Sequence, residues 1–259
     1  MTPISSSLAD QGTHEKQVRA MFPGAFEWRG AAPVYQTPLY ILAFTNRSGS
    51  NLLADYLRQT GLLRGFGEGL NWDHIERDIA RTPTASFPDY ITQLAGPPGG
   101  TQSWGIKASW DQIVMLQRAR IPAMFSGVRI IHTVREDILG QAISHWIAHQ
   151  TNRWTSAHQE TGVVPRFSLE GIEPILMDIT QSNTLIELVS VALGAPRHVV
   201  VYERLQDDPL GEVQRLGEAM DLDLGDWRPA APRIARQRDE TNAEFREACV
   251  RAWREAIGG

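Results

Sequence analysis

Cysteine is almost missing from this chain: Cys249 is the single one in 259 residues. No intrachain disulfide can form, and nothing suggests the stapled scaffold of a small secreted domain. A reducing, cytoplasmic setting is the expectation. Long apolar runs are missing as well. No stretch approaches the roughly 18 apolar residues of a membrane span, and the first ten residues show neither the basic start nor the apolar centre of an export signal. Positive charge is in deficit, with 25 Lys and Arg against 30 Asp and Glu and a formal net charge of -5. That balance argues against a general nucleic-acid binder, which needs clustered cations for the phosphate backbone. No internal repeat is visible.

What is present suits one packed core, since 42% of the residues are hydrophobic. Residues 1–38 mix Ser, Gly, Pro and charges without a steady period, so they read as a partly flexible N-terminal extension with one short helix near residues 15–21. Residues 39–259 read as a single domain. Leu39–Phe44 is an apolar run of the kind buried on both faces of a parallel sheet. A polar, glycine-containing turn follows, then a helix over Ser50–Gln59 with Leu52, Leu53, Tyr56 and Leu57 on one face and Gly61 beyond its end.

The alternation continues, with strands expected at residues 104–106, 128–134 and 198–202. Helices are expected at residues 111–120, 138–150, 168–193, 209–220 and 242–256, with Ser168 as a cap. Residues 96–100, Gly-Pro-Pro-Gly-Gly, form a loop. Strands alternating with helices imply parallel pairing through right-handed crossovers. The expected fold is therefore α/β, a P-loop-like doubly wound parallel sheet flanked by helices, with ligands beyond the strand C-termini.

The turn after the first strand reads Thr45-Asn46-Arg47-Ser48-Gly49-Ser50-Asn51. It lies between a buried strand and a helix N-terminus, where unsatisfied backbone N–H groups and the helix dipole attract an anion. Arg47 adds a permanent charge, Ser48 and Ser50 add hydroxyls, Gly49 allows close backbone approach, and Asn51 has an amide to donate. The lysine and Mg²⁺-binding hydroxyl of the nucleoside-triphosphatase loop do not occur at the required spacing. That points away from Mg²⁺-dependent phosphoryl transfer and towards a ligand with a single phosphate at its 5′ side. The plainer reading is a turn with an ordinary Ser or Asn helix cap.

A second segment runs from Arg135 at a strand end to Ser144 in the following helix, roughly 10 Å along its axis if the helix opens at Asp137. One anion is gripped by both only if Arg135 folds back. Between the two segments lies Lys107-Ala108-Ser109-Trp110-Asp111-Gln112.

These pieces together (R-S-G-S after the first strand, K-x-x-W-[ND]-Q, and R-x-D followed by Q-A-[VI]-S-x-W) resemble the bacterial trehalose 2-sulfotransferase-like family of sulfotransferases dependent on 3′-phosphoadenosine 5′-phosphosulfate (PAPS). The resemblance runs from about Leu39 to the C-terminus. It implies that Asn46, Arg47, Ser48, Gly49, Ser50 and Asn51 hold the 5′-phosphosulfate and that Arg135 and Ser144 hold the 3′-phosphate. Gln237 and Arg238 match the family's pair near the nucleotide, or are simply part of a charged run. Asn51 stands where threonine is common. Glu136 stands where proline is common, placing a negative charge near the presumed 3′-phosphate.

Sulfuryl transfer needs a base for the acceptor proton and cations at the departing phosphate, and no metal. The resemblance assigns the base to Glu68. His74 is a rival with a better unperturbed pKa, and the residues alone leave the choice open. Lys107, at a strand end, and Arg47 are expected at the departing phosphate. Trp110, Gln150 and Trp154 are the acceptor-side candidates for a carbohydrate or glycolipid, with trehalose one option, whereas Trp146 suits core packing beside Ile143 and Ile147. The resemblance also admits a homodimer, with the helix over residues 168–193 as one surface. A kinase built on an unusual loop and a non-catalytic binder of 3′-phosphoadenosine nucleotides are the competing readings.

Overall fold

In the computed structural model, residues 4–154, 162–232 and 240–259 are described. The strands are Leu39–Phe44 (β1), Leu63–Gly67 (β2), Ser103–Ala108 (β3), Val128–Val134 (β4) and Arg197–Val201 (β5). They form one sheet in the order β2-β3-β1-β4-β5, and every pairing is parallel. β1 occupies the centre because its side chains are apolar on both faces: Leu39, Ile41 and Ala43 enter one buried cluster, while Tyr40 and Leu42 enter another. The chain leaves β1 for one edge, returns through β3, then crosses to β4 and β5. The loops after β1, β3 and β4 consequently meet at one edge of the sheet, the switch point where α/β sheets bind ligands.

The helices are Ile4–Ala9 (α1), Thr13–Met21 (α2), Ser50–Gln59 (α3), Trp72–Arg81 (α4), Phe87–Ala95 (α5), Trp110–Arg118 (α6), Ile138–Thr151 (α7), Leu169–Ala192 (α8), Tyr202–Asp207 (α9), Pro209–Ala219 (α10) and Glu240–Ala256 (α11). One face of the sheet is covered through Ile75 of α4, Phe87 and Tyr90 of α5, Ile113 and Leu116 of α6, and Ile186 and Val189 of α8. The other is covered through Leu53 and Leu57 of α3 and Val213 and Leu216 of α10. A third cluster, with Ile143 of α7, Ile179 of α8, and Phe245 and Cys249 of α11, joins these three helices beside the sheet. Ser168 caps α8 as expected, accepting from Gly171 N at 3.1 Å. Val18 of α2 and the following Phe22, Phe26 and Tyr35 lie in the same cluster as Leu39. No helix among the described residues is long and apolar enough to cross a membrane.

Several elements were not anticipated, among them α1 and α9. Leu63–Gly67, for which no strand was expected, forms edge strand β2. The pattern hides it because two of its five residues are glycine, Gly65 and Phe66 have positive φ of 91° and 59°, and the pairing with β3 shifts register between Gly65 and Gly67. Helices α4 and α5 lie within residues 71–95, for which no element was expected. The last strand ends one residue early, so Tyr202 opens α9 instead of closing β5.

Candidate active site

The turn from β1 to α3 is shaped by two left-handed residues, Arg47 (φ 64°) and Gly49 (φ 88°). Gly49 is the residue before α3, and a Cβ there would run into Cδ2 of Tyr202. Glycine is required both by conformation and by this approach. Ser48 is fully buried. Its hydroxyl, expected to face the ligand, shares a 2.8 Å hydrogen bond with Thr133 Oγ1 of β4. Asn46 is exposed and Ser50 is buried at the helix start.

Lys107 extends from β3 to the same edge and is 2% exposed. Its ammonium donates to Asn51 Oδ1 at 2.6 Å and to Glu68 Oε1 at 2.5 Å, and it lies 4.4 Å from the centre of the Phe44 ring. Burial lowers its pKa, and the Glu68 carboxylate opposes that shift. Asn51, expected as an amide donor to the ligand, thus uses its oxygen as an acceptor for Lys107. Glu68 follows β2 directly. On its other side, Asn71 Nδ2 approaches Glu68 Oε2 at 3.5 Å, and Gln112 Nε2 donates to Asn71 Oδ1 at 3.0 Å. Gln112 also completes a capping box with Ser109 at the start of α6. The Lys-x-x-Trp-Asp-Gln segment is thereby accounted for: its lysine meets Glu68, its glutamine caps α6 and holds Asn71, and Trp110 packs against the central core. His74 lies in the first turn of α4, with Nε2 4.0 Å from Asp73 Oδ2.

Around α7 the two residues expected at the 3′-phosphate have separate protein partners. Ser144 Oγ accepts from Arg47 Nε at 2.9 Å, while Arg135 pairs with Glu203, Nε to Oε1 at 3.2 Å. The Arg135 guanidinium also stacks on Tyr202, 4.6 Å from the ring centre. Burial lowers the pKa of Arg47, and the positive charge of Arg135 adds to the effect. Two guanidiniums are therefore held within electrostatic reach at the sheet edge. Glu136 faces Arg204 at 3.4 Å. Asp137 caps α7, accepting from Gly140 N at 2.9 Å, and binds Arg246 of α11. Burial would raise the Asp137 carboxyl, but the Gly140 N–H and Arg246 together hold it below its usual value.

Gln150 exchanges hydrogen bonds with the backbone of Arg166 at 3.0 and 2.9 Å, and Trp146 Nε1 donates to the same carbonyl at 2.9 Å. Trp154 lies nearer the β1–α3 turn: its carbonyl accepts from Arg47 Nη1 at 2.6 Å, and its ring meets His145 edge-on at 5.5 Å. Gln237 and Arg238 lie outside the described residues. Sequence reasoning missed Gln141, Tyr202, Glu203 and Thr133. Gln141 stood inside a quoted motif without a role. Tyr202 and Glu203 directly follow a parallel strand at the ligand-binding edge, a position that would have flagged them.

Residues 39–252 match the family model of the Stf0 sulphotransferases. The trehalose 2-sulfotransferase of Mycolicibacterium smegmatis is 28% identical over an alignment spanning 60% of this chain and 83% of that protein. Its counterpart from Mycobacterium tuberculosis is 25% identical, with 75% and 96% covered. Among solved structures, a sulfotransferase from Alicyclobacillus acidocaldarius has a TM-score of 0.48 at 14% identity, covering 83% of this chain and 95% of that one. Since the family match takes in every strand, the β1–α3 turn, Glu68, Lys107 and α7, this chain belongs to the Stf0 sulphotransferase family and is a sulfotransferase.

Proposed function

We propose that this enzyme moves the sulfuryl group of PAPS to a hydroxyl of a carbohydrate or glycolipid, with Glu68 taking the hydroxyl proton. The observation that carries the reading is the Asn51–Lys107–Glu68 cluster at the mouth of the phosphate loop. The buried Lys107 ammonium donates to Glu68 Oε1 at 2.5 Å and so fixes the direction of the carboxylate, and the 38% exposure of that side chain leaves it open to an incoming hydroxyl. His74 has no comparable connection to the loop, its near neighbour being Asp73, so the geometry favours Glu68.

The donor chemistry fits a ligand with two phosphate-bearing ends. Arg47, with the N-terminus of α3, would meet the phosphosulfate. Arg135, pre-set by Glu203 and Tyr202, would meet the 3′-phosphate, and an anion between the two guanidiniums offsets their repulsion. Lys107 stands close enough to Asn51 of the loop to stabilise charge on the departing phosphate. The carbohydrate acceptor is supported by the trehalose 2-sulfotransferase relatives. Of the acceptor candidates, Trp154 is favoured over Trp110 and Gln150, which are committed to core packing and to Arg166. A homodimer through α8, where Met177 and Val191 are exposed, belongs to the same reading.

The test is transfer of radiolabelled sulfate from PAPS to a panel of disaccharides, trehalose included, and to extracted glycolipids. Glu68→Gln should lose roughly 10²-fold or more in turnover, the scale of general-base catalysis, with nucleotide affinity retained. Near-normal turnover would remove Glu68 from the mechanism.

A further inference from the structure

We infer that Gln141 is a positioning residue that sets the peptide plane between Asn46 and Arg47, and through it the anion-binding shape of the phosphate loop. The inference deepens the nucleotide-binding reading above and rests on it. Gln141 is 0% exposed. Its Nε2 donates to Thr45 Oγ1 at 2.9 Å and to the Asn46 carbonyl at 2.8 Å. Ser144, three residues on and on the same helical face, accepts from Arg47. Helix α7 thus grips Thr45, Asn46 and Arg47 in succession.

The middle contact carries the argument. A trans peptide is planar, with its carbonyl and N–H on opposite sides. Holding the Asn46 carbonyl against α7 turns the Arg47 N–H away from α7. The same anchor sits at the entrance to the left-handed conformation of Arg47 (φ 64°), which a residue with a Cβ adopts only when its surroundings impose it.

The other end of the side chain argues against simple packing. Among the described residues, Gln141 Oε1 is buried without a hydrogen-bond partner. A buried acceptor left unmet costs stability, and a methionine of similar shape would fill the space without that cost. The amide is therefore present for what its nitrogen holds. Because α7 also begins just after Arg135, one helix fixes the loop for the phosphosulfate and stands next to the arginine for the 3′-phosphate.

The test compares the full-length protein with Gln141→Met, Thr45→Val and the double variant, by calorimetry with 3′-phosphoadenosine 5′-phosphate and by steady-state kinetics. Gln141→Met should bind the nucleotide about tenfold more weakly, the scale of one or two hydrogen bonds, and raise the donor KM similarly. The acceptor KM and the melting temperature should not fall with it. Thr45→Val should lose less, and adding it to Gln141→Met should cost nothing further, because its partner is already gone. Binding by Gln141→Met within twofold of the parent, or fully additive losses, would overturn the proposal. If Gln141→Met does not fold, Gln141→Glu serves, since its carboxylate cannot donate to the Asn46 carbonyl; the same loss is expected and the same twofold limit applies. A crystal structure of either variant reads the latch without nucleotide: Arg47 should leave the left-handed region, and an unchanged loop would sink the idea. A parent protein that binds no nucleotide while the variant loop does move would instead overturn the function proposed above and leave the latch standing.

Discussion

Lys107 concentrates the chemistry of the site in one side chain. An ammonium that is 2% exposed has lost nearly all its hydration, and the Glu68 carboxylate and Asn51 amide replace it. A buried ion pair of this kind contributes little to folding once desolvation is counted, and a well-packed apolar substitute is often neutral or stabilising. Lys107→Met should therefore leave the melting temperature within a few degrees of the parent or raise it. The abandoned carboxylate is 38% exposed and can turn to water. Turnover should nevertheless fall by about 10²-fold, because Glu68, the base proposed above, loses its fixed cationic neighbour and the β1–α3 turn its ammonium. Thermal unfolding and sulfate transfer on the same sample separate the two effects. A variant that melts far below the parent would place Lys107 in the fold, and one that turns over normally would place it outside the mechanism.

Between β1 and α3, the geometry depends on Gly49. Its φ of 88° is open to glycine at little cost, and Tyr202 occupies the space a Cβ would need. Gly49→Ala has to pay left-handed strain of roughly 1–2 kcal/mol and also push Tyr202, the ring on which Arg135 rests. Nucleotide affinity should drop tenfold or more, since both arginines proposed to meet the phosphates are disturbed, with the melting temperature lowered by a few degrees; calorimetry and thermal unfolding check the two. How much of this was legible follows from the same turn. The strand, the turn and the helix were readable because burial on both faces of β1 and the polar break after Phe44 are local signals. The contact between Gly49 and Tyr202 was not, since it joins residues 153 positions apart in sequence through the crossovers that set β4 beside β1 and β5 beside β4. Ser144 illustrates the same limit: its place on α7 was visible, but its hydrogen bond from Arg47, 97 positions away, was not. Strand β2 was hidden for another reason, because its glycines and bulge erase the alternation on which strand recognition depends.

Across the whole molecule, burial of histidine ties stability to pH. His132 sits in β4 at 2% exposure, with Nε2 3.2 Å from Asn183 Oδ1 of α8 and Nδ1 3.2 Å from Arg197 Nη1 of β5. Arg197 in turn pairs with Glu187 at 3.3 Å. Burial pushes the His132 pKa down to about 4, and Arg197 adds to the effect, whereas the Asn183 bond opposes it. His145 is likewise lowered to about 4 by burial, with His149 and Arg47 as neighbouring charges. Both rings are neutral in the folded protein at pH values where the unfolded chain, with an ordinary histidine pKa near 6.5, already takes up protons. The unfolded state binds more protons in that window, so stability is full above about pH 6.5 and declines as pH falls towards 4. For His132 the loss amounts to something on the order of 3 kcal/mol by pH 4, at 1.36 kcal/mol per unit; the less buried His145 contributes less. Urea unfolding from pH 8 to 4.5 should show a midpoint that is flat above pH 7 and falls steadily below pH 6.5, before most carboxylates titrate. His132→Asn removes one titrating ring and should flatten that acid limb even if it lowers the plateau. An acid limb of unchanged slope in His132→Asn would show that the β4–α8 seam does not carry the pH dependence.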